Sequence, residues 1–219
     1  IASVRARTRF RAVSQGRRFV AICRLVPQKN IGLMLRAYAR VALPDDQLTI
    51  FGDGPQRMAL VALTDQLGIA GRVTFCGHVP EPADHLSRFD ILLLSSDFEG
   101  VPAAVLEALA ANLFVVATDC SRSMSSLLQC GRLGILTRVG DEAAFAGAVT
   151  AARSRIQDAA RSLAQAELFT IEQASAAYRQ CFEAAARRPC VIKLNSELRL
   201  RPMRAVSRPQ TASESGGWT

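Results

Sequence analysis

Histidine is scarce in this 219-residue chain, which carries two, and tryptophan occurs once. His78 and His85 are not spaced toward cysteine or carboxylate ligands, so no metal centre is expected. No run of about 18 apolar residues is present, which argues against a membrane-spanning helix. No apolar segment follows the basic start, so no secretory leader is expected in the sequence as it stands. Six cysteines stand at 23, 76, 120, 130, 181 and 190 without a Cys-x2-Cys pair, which speaks against a zinc site or a disulfide framework. Cys23, Cys76 and Cys120 lie in or just after apolar runs and read as small buried hydrophobes in a reducing compartment. Neither an Asp-x-Asp nor a Gly-x-Gly-x-x-Gly motif occurs, and there is no internal repeat. The chain begins at Ile1 instead of Met, and an upstream part is expected.

What is present has a globular balance: 49% of residues are hydrophobic and 21% are charged. A chain of this length buries roughly 70% of its unfolded surface as one large domain. The formal charge of +8 is unevenly spread. Residues 1–18 carry +6 and residues 187–219 carry +5, leaving −3 for residues 19–186. The basic ends could meet phosphate or an anionic membrane surface, but solvated termini are the simpler reading. No nucleic-acid partner is expected.

Strand-like runs recur at 18–23, 48–51, 73–76, 90–95, 114–117 and 134–137. Their apolar, often β-branched bodies suit strands covered on both faces. Helix-length stretches alternate with them at 30–42, 55–68, 81–88, 102–111, 123–130 and 141–153. Asn30 reads as an N-cap, Pro55 as a first-turn residue, Asp141 as a helix start and Gly68 as a left-handed stop. Six β-α units predict an α/β fold: a Rossmann-like, doubly wound, six-stranded parallel sheet with helices on both faces. Two more helices follow at about 155–167 and 171–187. The second carries Ala174, Ala177, Tyr178, Cys181 and Phe182 on one face and is expected to dock on the sheet domain. The division is therefore a basic linker at 1–18, a domain at 19–187 and a disordered basic tail at 188–219.

Ligands of parallel sheets bind beyond the carboxyl ends of the strands. After the first strand come Arg24 and Lys29, two cations that could clamp a diphosphate through charge-assisted hydrogen bonds. Taken alone they read as ordinary surface residues. After the second strand Gly52-Asp53-Gly54-Pro55 reads by default as a structural turn; Arg57 stands where a dinucleotide fingerprint would need glycine. The fourth strand ends in Ser95-Ser96-Asp97-Phe98-Glu99-Gly100-Val101-Pro102 and runs into a helix containing Glu107. Gly100 permits close backbone approach, and the helix start behind Pro102 offers free N–H groups to an anion. Glu99 and Glu107 could accept hydrogen bonds from vicinal hydroxyls, as a sugar and a ribose present them.

In combination these segments resemble the C-terminal domain of family-4 glycosyltransferases of the GT-B fold. The resemblance rests on AICRLVPQKNIGLMLRAYA, LTIFGDGPQR, RVTFCGHV, DILLLSSDFEGVPAAVLEALAANLFVVATD and GRLGILTRVGDEAAFAGAV, and covers about residues 19–186. It implies a nucleotide-sugar donor as substrate, transfer with retention of anomeric configuration, and no cofactor or obligatory metal. By position Arg24 and Lys29 would hold the donor diphosphate and act in catalysis. Glu99 would contact donor-sugar hydroxyls in a catalytic role, and Glu107 the ribose. Backbone at Gly100, Val101 and Pro102 would meet the sugar or distal phosphate, and His78 would lie near the nucleobase.

Two departures from the family pattern stand out. Cys23 precedes Arg24 where a glycine is usual, and Ser121-Arg122-Ser123-Met124-Ser125-Ser126 replaces a glycine-containing turn followed by Glu. The family also places acceptor recognition in an N-terminal domain, expected here to be missing and to be supplied in cis or in trans. The isolated half is expected to be inactive. A non-catalytic nucleotide-sugar-binding module is the alternative reading. An isomerase on the same fold would need histidines and carboxylates that have no place in this sequence. The resemblance leads to a cytoplasmic protein of polysaccharide biosynthesis, with peripheral contact at the inner membrane face open through the Arg-rich ends.

Overall fold

The computed structural model describes residues 16–187. The sequence's expected linker and tail lie, apart from residues 16–18, outside the described residues. Six strands form one parallel sheet: β1 (Arg18–Ile22), β2 (Gln47–Phe51), β3 (Val73–Gly77), β4 (Ile91–Leu94), β5 (Phe114–Thr118) and β6 (Gly134–Thr137). Their order is β3-β2-β1-β4-β5-β6. Helices α1 (Ile31–Val41), α2 (Arg57–Gln66), α3 (Ala103–Ala110), α4 (Met124–Leu127), α5 (Glu142–Ala152), α6 (Ala159–Glu167) and α7 (Ile171–Ala186) follow the expected alternation. The α/β architecture read from the sequence is the one observed.

Alternation within the strands builds two cores, because successive side chains leave a strand on opposite faces. Phe19, Ala21, Ile91, Leu93, Phe114 and Val116 join one cluster with Leu35 and Tyr38 of α1 and Phe145 of α5. Their neighbours Val20, Leu92, Leu94, Val115 and Ala117 join the other with Val105 and Leu109 of α3 and Met124 of α4. Each fully buried aliphatic side chain contributes about 1.5–3 kcal/mol. Both faces of β4 and β5 are therefore buried, which explains their unbroken apolar runs.

The sheet is anchored at the end opposite the carboxyl ends of its strands. Asp46, fully buried, takes Arg153 in a two-pronged ion pair and accepts Arg17 N at 2.8 Å and Leu43 N at 2.7 Å. Arg18 N donates to Asp90 Oδ2 at 2.8 Å. Arg17 and Arg18 thus belong to the fold, two residues before the boundary that the sequence suggests at 19.

Several local expectations need correction. Asn30 occupies the N-cap position with φ 44°, but its side chain caps nothing there. The segment 82–88 forms a 3-10 helix, and α4 ends after Leu127 because Gln129 and Cys130 adopt left-handed φ. Pro55 lies in a turn with Gln56, and α2 starts only at Arg57. Asp141 does cap α5, accepting Ala144 N at 2.8 Å, and Gly68 is left-handed at φ 66°. Cys76 is exposed, since β3 is an edge strand; Cys23 is half-buried and Cys120 buried.

Chain contacts divide the protein into units at Tyr178/Arg179. Within the first unit, Ile171–Tyr178 of α7 buries no residue, so the docking face expected from Ala174, Ala177 and Tyr178 is not formed there. Of the second unit, residues 179–187 are described; those up to Ala186 belong to α7, and all are exposed. Among the described residues no helix is long and apolar enough to cross a membrane.

Candidate functional site

The strand order reverses between β1 and β4, each of which starts a run toward an opposite edge of the sheet. Loops leaving the carboxyl ends of two such strands diverge to opposite faces and open a crevice between them. The β1 loop carries Arg24 and Lys29, and the β4 loop carries Glu99 to Pro102.

The two loops are stitched together by polar contacts. Lys29 Nζ donates to Glu99 Oε1 in a short ion pair whose side chains are 20% and 12% exposed. Ser96 Oγ donates to the same Oε1 at 2.7 Å. Ser95 Oγ donates to Lys29 O, Gln28 Nε2 to Phe98 O, and Asn30 Nδ2 to Asp97 Oδ1, all at 2.8 Å. The left-handed turn at Asn30 thus serves the neighbouring loop and not its own helix. From the β5 side, Thr118 Oγ1 donates to Ser96 O at 2.6 Å and Ser123 Oγ to Gly100 O at 3.1 Å. Glu99 N donates to Cys120 O at 3.0 Å. Glu99 is held by three consecutive strand ends.

Arg24 is exposed, and its guanidinium has no ion-pair or hydrogen-bond partner among the described residues. Pro102 is buried and occupies the cap position before α3, with Ala103 the first helical residue. Val101 and Phe98 are exposed apolar residues at 54% and 63%. Glu107 lies half-buried on α3; burial, reinforced by the nearby Glu81 charge, raises its pKa above the ordinary carboxylate value. The tertiary structure brings Lys29 and Glu99 into contact and sets Arg24, Gly100, Val101, Pro102 and Glu107 on the flanking loops and helix. His78 is exposed after β3, with β2 between its strand and β1.

Glycines shape this end of the sheet. Gly52 has φ 135°, and a Cβ there would fall 1.9 Å from Cys23 O. A Cβ at Gly54 would fall 2.5 Å from Leu25 O. Both let the β1 and β2 loops lie side by side, joined by Leu25 N to Asp53 O at 3.0 Å. At Gly100 a Cβ would meet nothing within 4 Å, so packing does not demand glycine there. Burial pushes the Cys23 thiol up to about 12, with the Lys29 charge opposing the shift and the Glu99 charge adding to it.

Sequence reasoning missed Ser96, Thr118, Ser123 and the Asn30–Asp97 contact. A signal existed: Ser95-Ser96 and Thr118-Asp119 are polar pairs closing otherwise apolar strand runs. Ser95, Ser96 and Thr118 are all buried, so their hydroxyls required partners. Among the described residues no group of three or more His, Cys, Asp or Glu is placed to hold a metal ion.

A family model described as Glycosyl transferases group 1 matches residues 16–154. An uncharacterized glycosyltransferase of Methanocaldococcus jannaschii is 33% identical over 123 residues, 55% of this chain and 30% of that protein. The lipopolysaccharide outer core galactosyltransferase WaaB in its apo form is similar in fold, with a TM-score of 0.71 at 24% identity over 78% of this chain and 50% of that one. The S. aureus TarM structure in complex with UDP also has a TM-score of 0.71, at 19% identity over 81% of this chain and 37% of that one. The chain therefore spans less than a third of that archaeal relative and half or less of the two solved structures.

Proposed function

The chain belongs to the group 1 glycosyl transferases, and from that premise we propose that it is the donor-binding half of a retaining, metal-independent family-4 enzyme. The enzyme moves a hexose-type sugar from a nucleotide-diphosphate sugar to a glycan or lipid-linked acceptor. The observation that supports this reading most is the Lys29–Glu99 contact across the strand-order reversal, which sets a cation and a carboxylate at one crevice. UDP in the TarM neighbour supports a nucleotide-sugar partner.

In this reading Arg24, Lys29 and the N–H groups at the start of α3 meet the leaving diphosphate and stabilise its developing charge. Glu99 accepts from a sugar hydroxyl, Glu107 from the ribose, and His78 borders the base. Backbone at Gly100 and Val101, with Pro102 behind it, faces the sugar or distal phosphate. Acceptor recognition falls to a second domain, in cis or in trans, because the matched region is only one part of each relative. In the same reading the protein works in the cytoplasm, and peripheral contact at the inner membrane face is the alternative. A second reading, a non-catalytic nucleotide-sugar module, draws on the confinement of the family match to residues 16–154.

Isothermal titration with UDP, GDP and ADP tests the site. Lys29→Ala and Glu107→Ala are each expected to weaken the best-bound nucleotide by about tenfold or more, the effect of one charged hydrogen bond. Equal binding by all three proteins overturns the site assignment. Sugar transfer on adding a complementary second domain separates the enzyme from the module.

A further inference from the structure

The two oxygens of Glu99 are in different situations. Oε1 accepts from Lys29 Nζ and from Ser96 Oγ, the latter at 2.7 Å, whereas Oε2 takes no hydrogen bond among the described residues. A carboxylate held only by a lysine ammonium is loosely oriented, because that donor sits on a flexible four-carbon stem and its three protons rotate freely. A second donor on a short, rigid side chain removes that freedom. Ser96 meets the requirement: it is 2% exposed, and its own carbonyl is held by Thr118 Oγ1 at 2.6 Å. The Glu99 backbone is fixed as well, through its N–H to Cys120 O at 3.0 Å.

We propose that Ser96 is a positioning residue, whose hydroxyl holds Oε1 of Glu99 so that Oε2 is the oxygen presented to a hydroxyl of the donor sugar. The proposal rests on the donor-site reading above and deepens it, since it separates sugar recognition from nucleotide recognition. Arg24, Lys29 and Glu107 meet the nucleotide diphosphate without help from Ser96. Loss of the Ser96 hydroxyl lets the carboxylate turn about Lys29, and the effect falls on the sugar alone. A residue that merely supported the loop would disturb nucleotide and sugar together.

The test is titration of the 219-residue chain, as wild type and as Ser96→Ala, with UDP, UDP-glucose and UDP-N-acetylglucosamine. The Kd for the better-bound sugar nucleotide is expected to rise about fivefold, while the Kd for UDP stays within about twofold. UDP affinity also reports whether the variant is folded. Parallel loss of both ligands, or no change in either, overturns the Ser96 role and leaves the donor site standing. Failure of wild type to bind UDP, GDP or ADP overturns the donor-site reading, and the Ser96 role with it.

Discussion

Lys29 and Glu99, 70 residues apart in sequence, form an ion pair that joins the loop after β1 to the loop after β4. The pair fixes a carboxylate next to a cation that the proposed reaction needs for phosphate. In the proposed donor site a diphosphate at Lys29 shares the ammonium with Glu99. Opposite effects follow for the two partners. Lys29→Ala weakens UDP binding by about tenfold or more, whereas Glu99→Gln leaves it unchanged or tighter, because one negative charge beside the phosphates is removed. Titration of both variants with UDP checks the contrast, and a tenfold loss in Glu99→Gln would contradict it.

Glu107 has a pKa raised first by burial and then by Glu81. A raised carboxyl pKa means that the folded chain binds the proton more tightly than the unfolded one. Stability contributed by the protonated form is then lost as pH rises from the ordinary carboxylate range through the folded pKa. Glu107→Gln is expected to raise Tm at pH 7, with the gain vanishing in acid below the ordinary glutamate value. Nucleotide affinity should move the other way, falling about tenfold in the same variant at pH 7. Melting curves across pH and one titration read both effects.

Asp46 and Arg153 form a buried pair with three further hydrogen bonds to Asp46 and to Arg153 from or to backbone, at Arg17, Leu43 and Val41. Burial alone would raise the Asp46 pKa; Arg153 and the Arg17 and Leu43 N–H groups outweigh it and hold the carboxyl below its usual range. The stability it contributes is present above the unfolded aspartate pKa and is lost as pH falls through the lowered folded value. Asp46→Ala leaves Arg153 unpaired in the interior and is expected to cost about 3–5 kcal/mol. Urea denaturation at pH 7 measures this, and the difference from wild type should shrink in strong acid.

Two glycines near the site should respond differently to alanine. At Gly52 the positive φ and the overlap with Cys23 O leave no room, so Gly52→Ala is expected to destabilise by more than about 2 kcal/mol. At Gly100 a Cβ meets nothing within 4 Å, so Gly100→Ala should leave Tm nearly unchanged. Any loss of sugar-nucleotide affinity in Gly100→Ala then reports ligand approach to that backbone. Thermal melting combined with titration separates the two outcomes.

Much of the candidate site was legible because chemistry-bearing residues follow the apolar strand runs directly. Arg24 follows Cys23 at the end of RFVAIC, and Glu99 stands four residues beyond Ser95 at the end of DILLLS. The supporting hydroxyls were harder to read. Thr118 and Ser123 act on Ser96 and Gly100 from another β-α unit, and no local pattern reveals a partner more than twenty residues away. Helix ends misled for a related reason: Asn30 has capping chemistry, but in a left-handed conformation its side chain donates Nδ2 to Asp97 and caps nothing.

The sequence by itself determined the alternation of strands and helices, since strands buried on both faces read as continuous apolar runs and the helices between them as amphipathic ones. It also determined which residues lie just past the strands. Only the tertiary structure decided that β4 pairs with β1 instead of β3, through Phe19 opposite Ile91 and Val20 opposite Leu92. That pairing depends on how whole faces fit together. It brings Lys29 to Glu99 and leaves β3 with its exposed Cys76 at an edge. The first half of α7 is unburied despite an apolar stripe that predicts docking. Periodicity shows that a face is apolar; which partner covers it is set by the packing of elements distant in sequence.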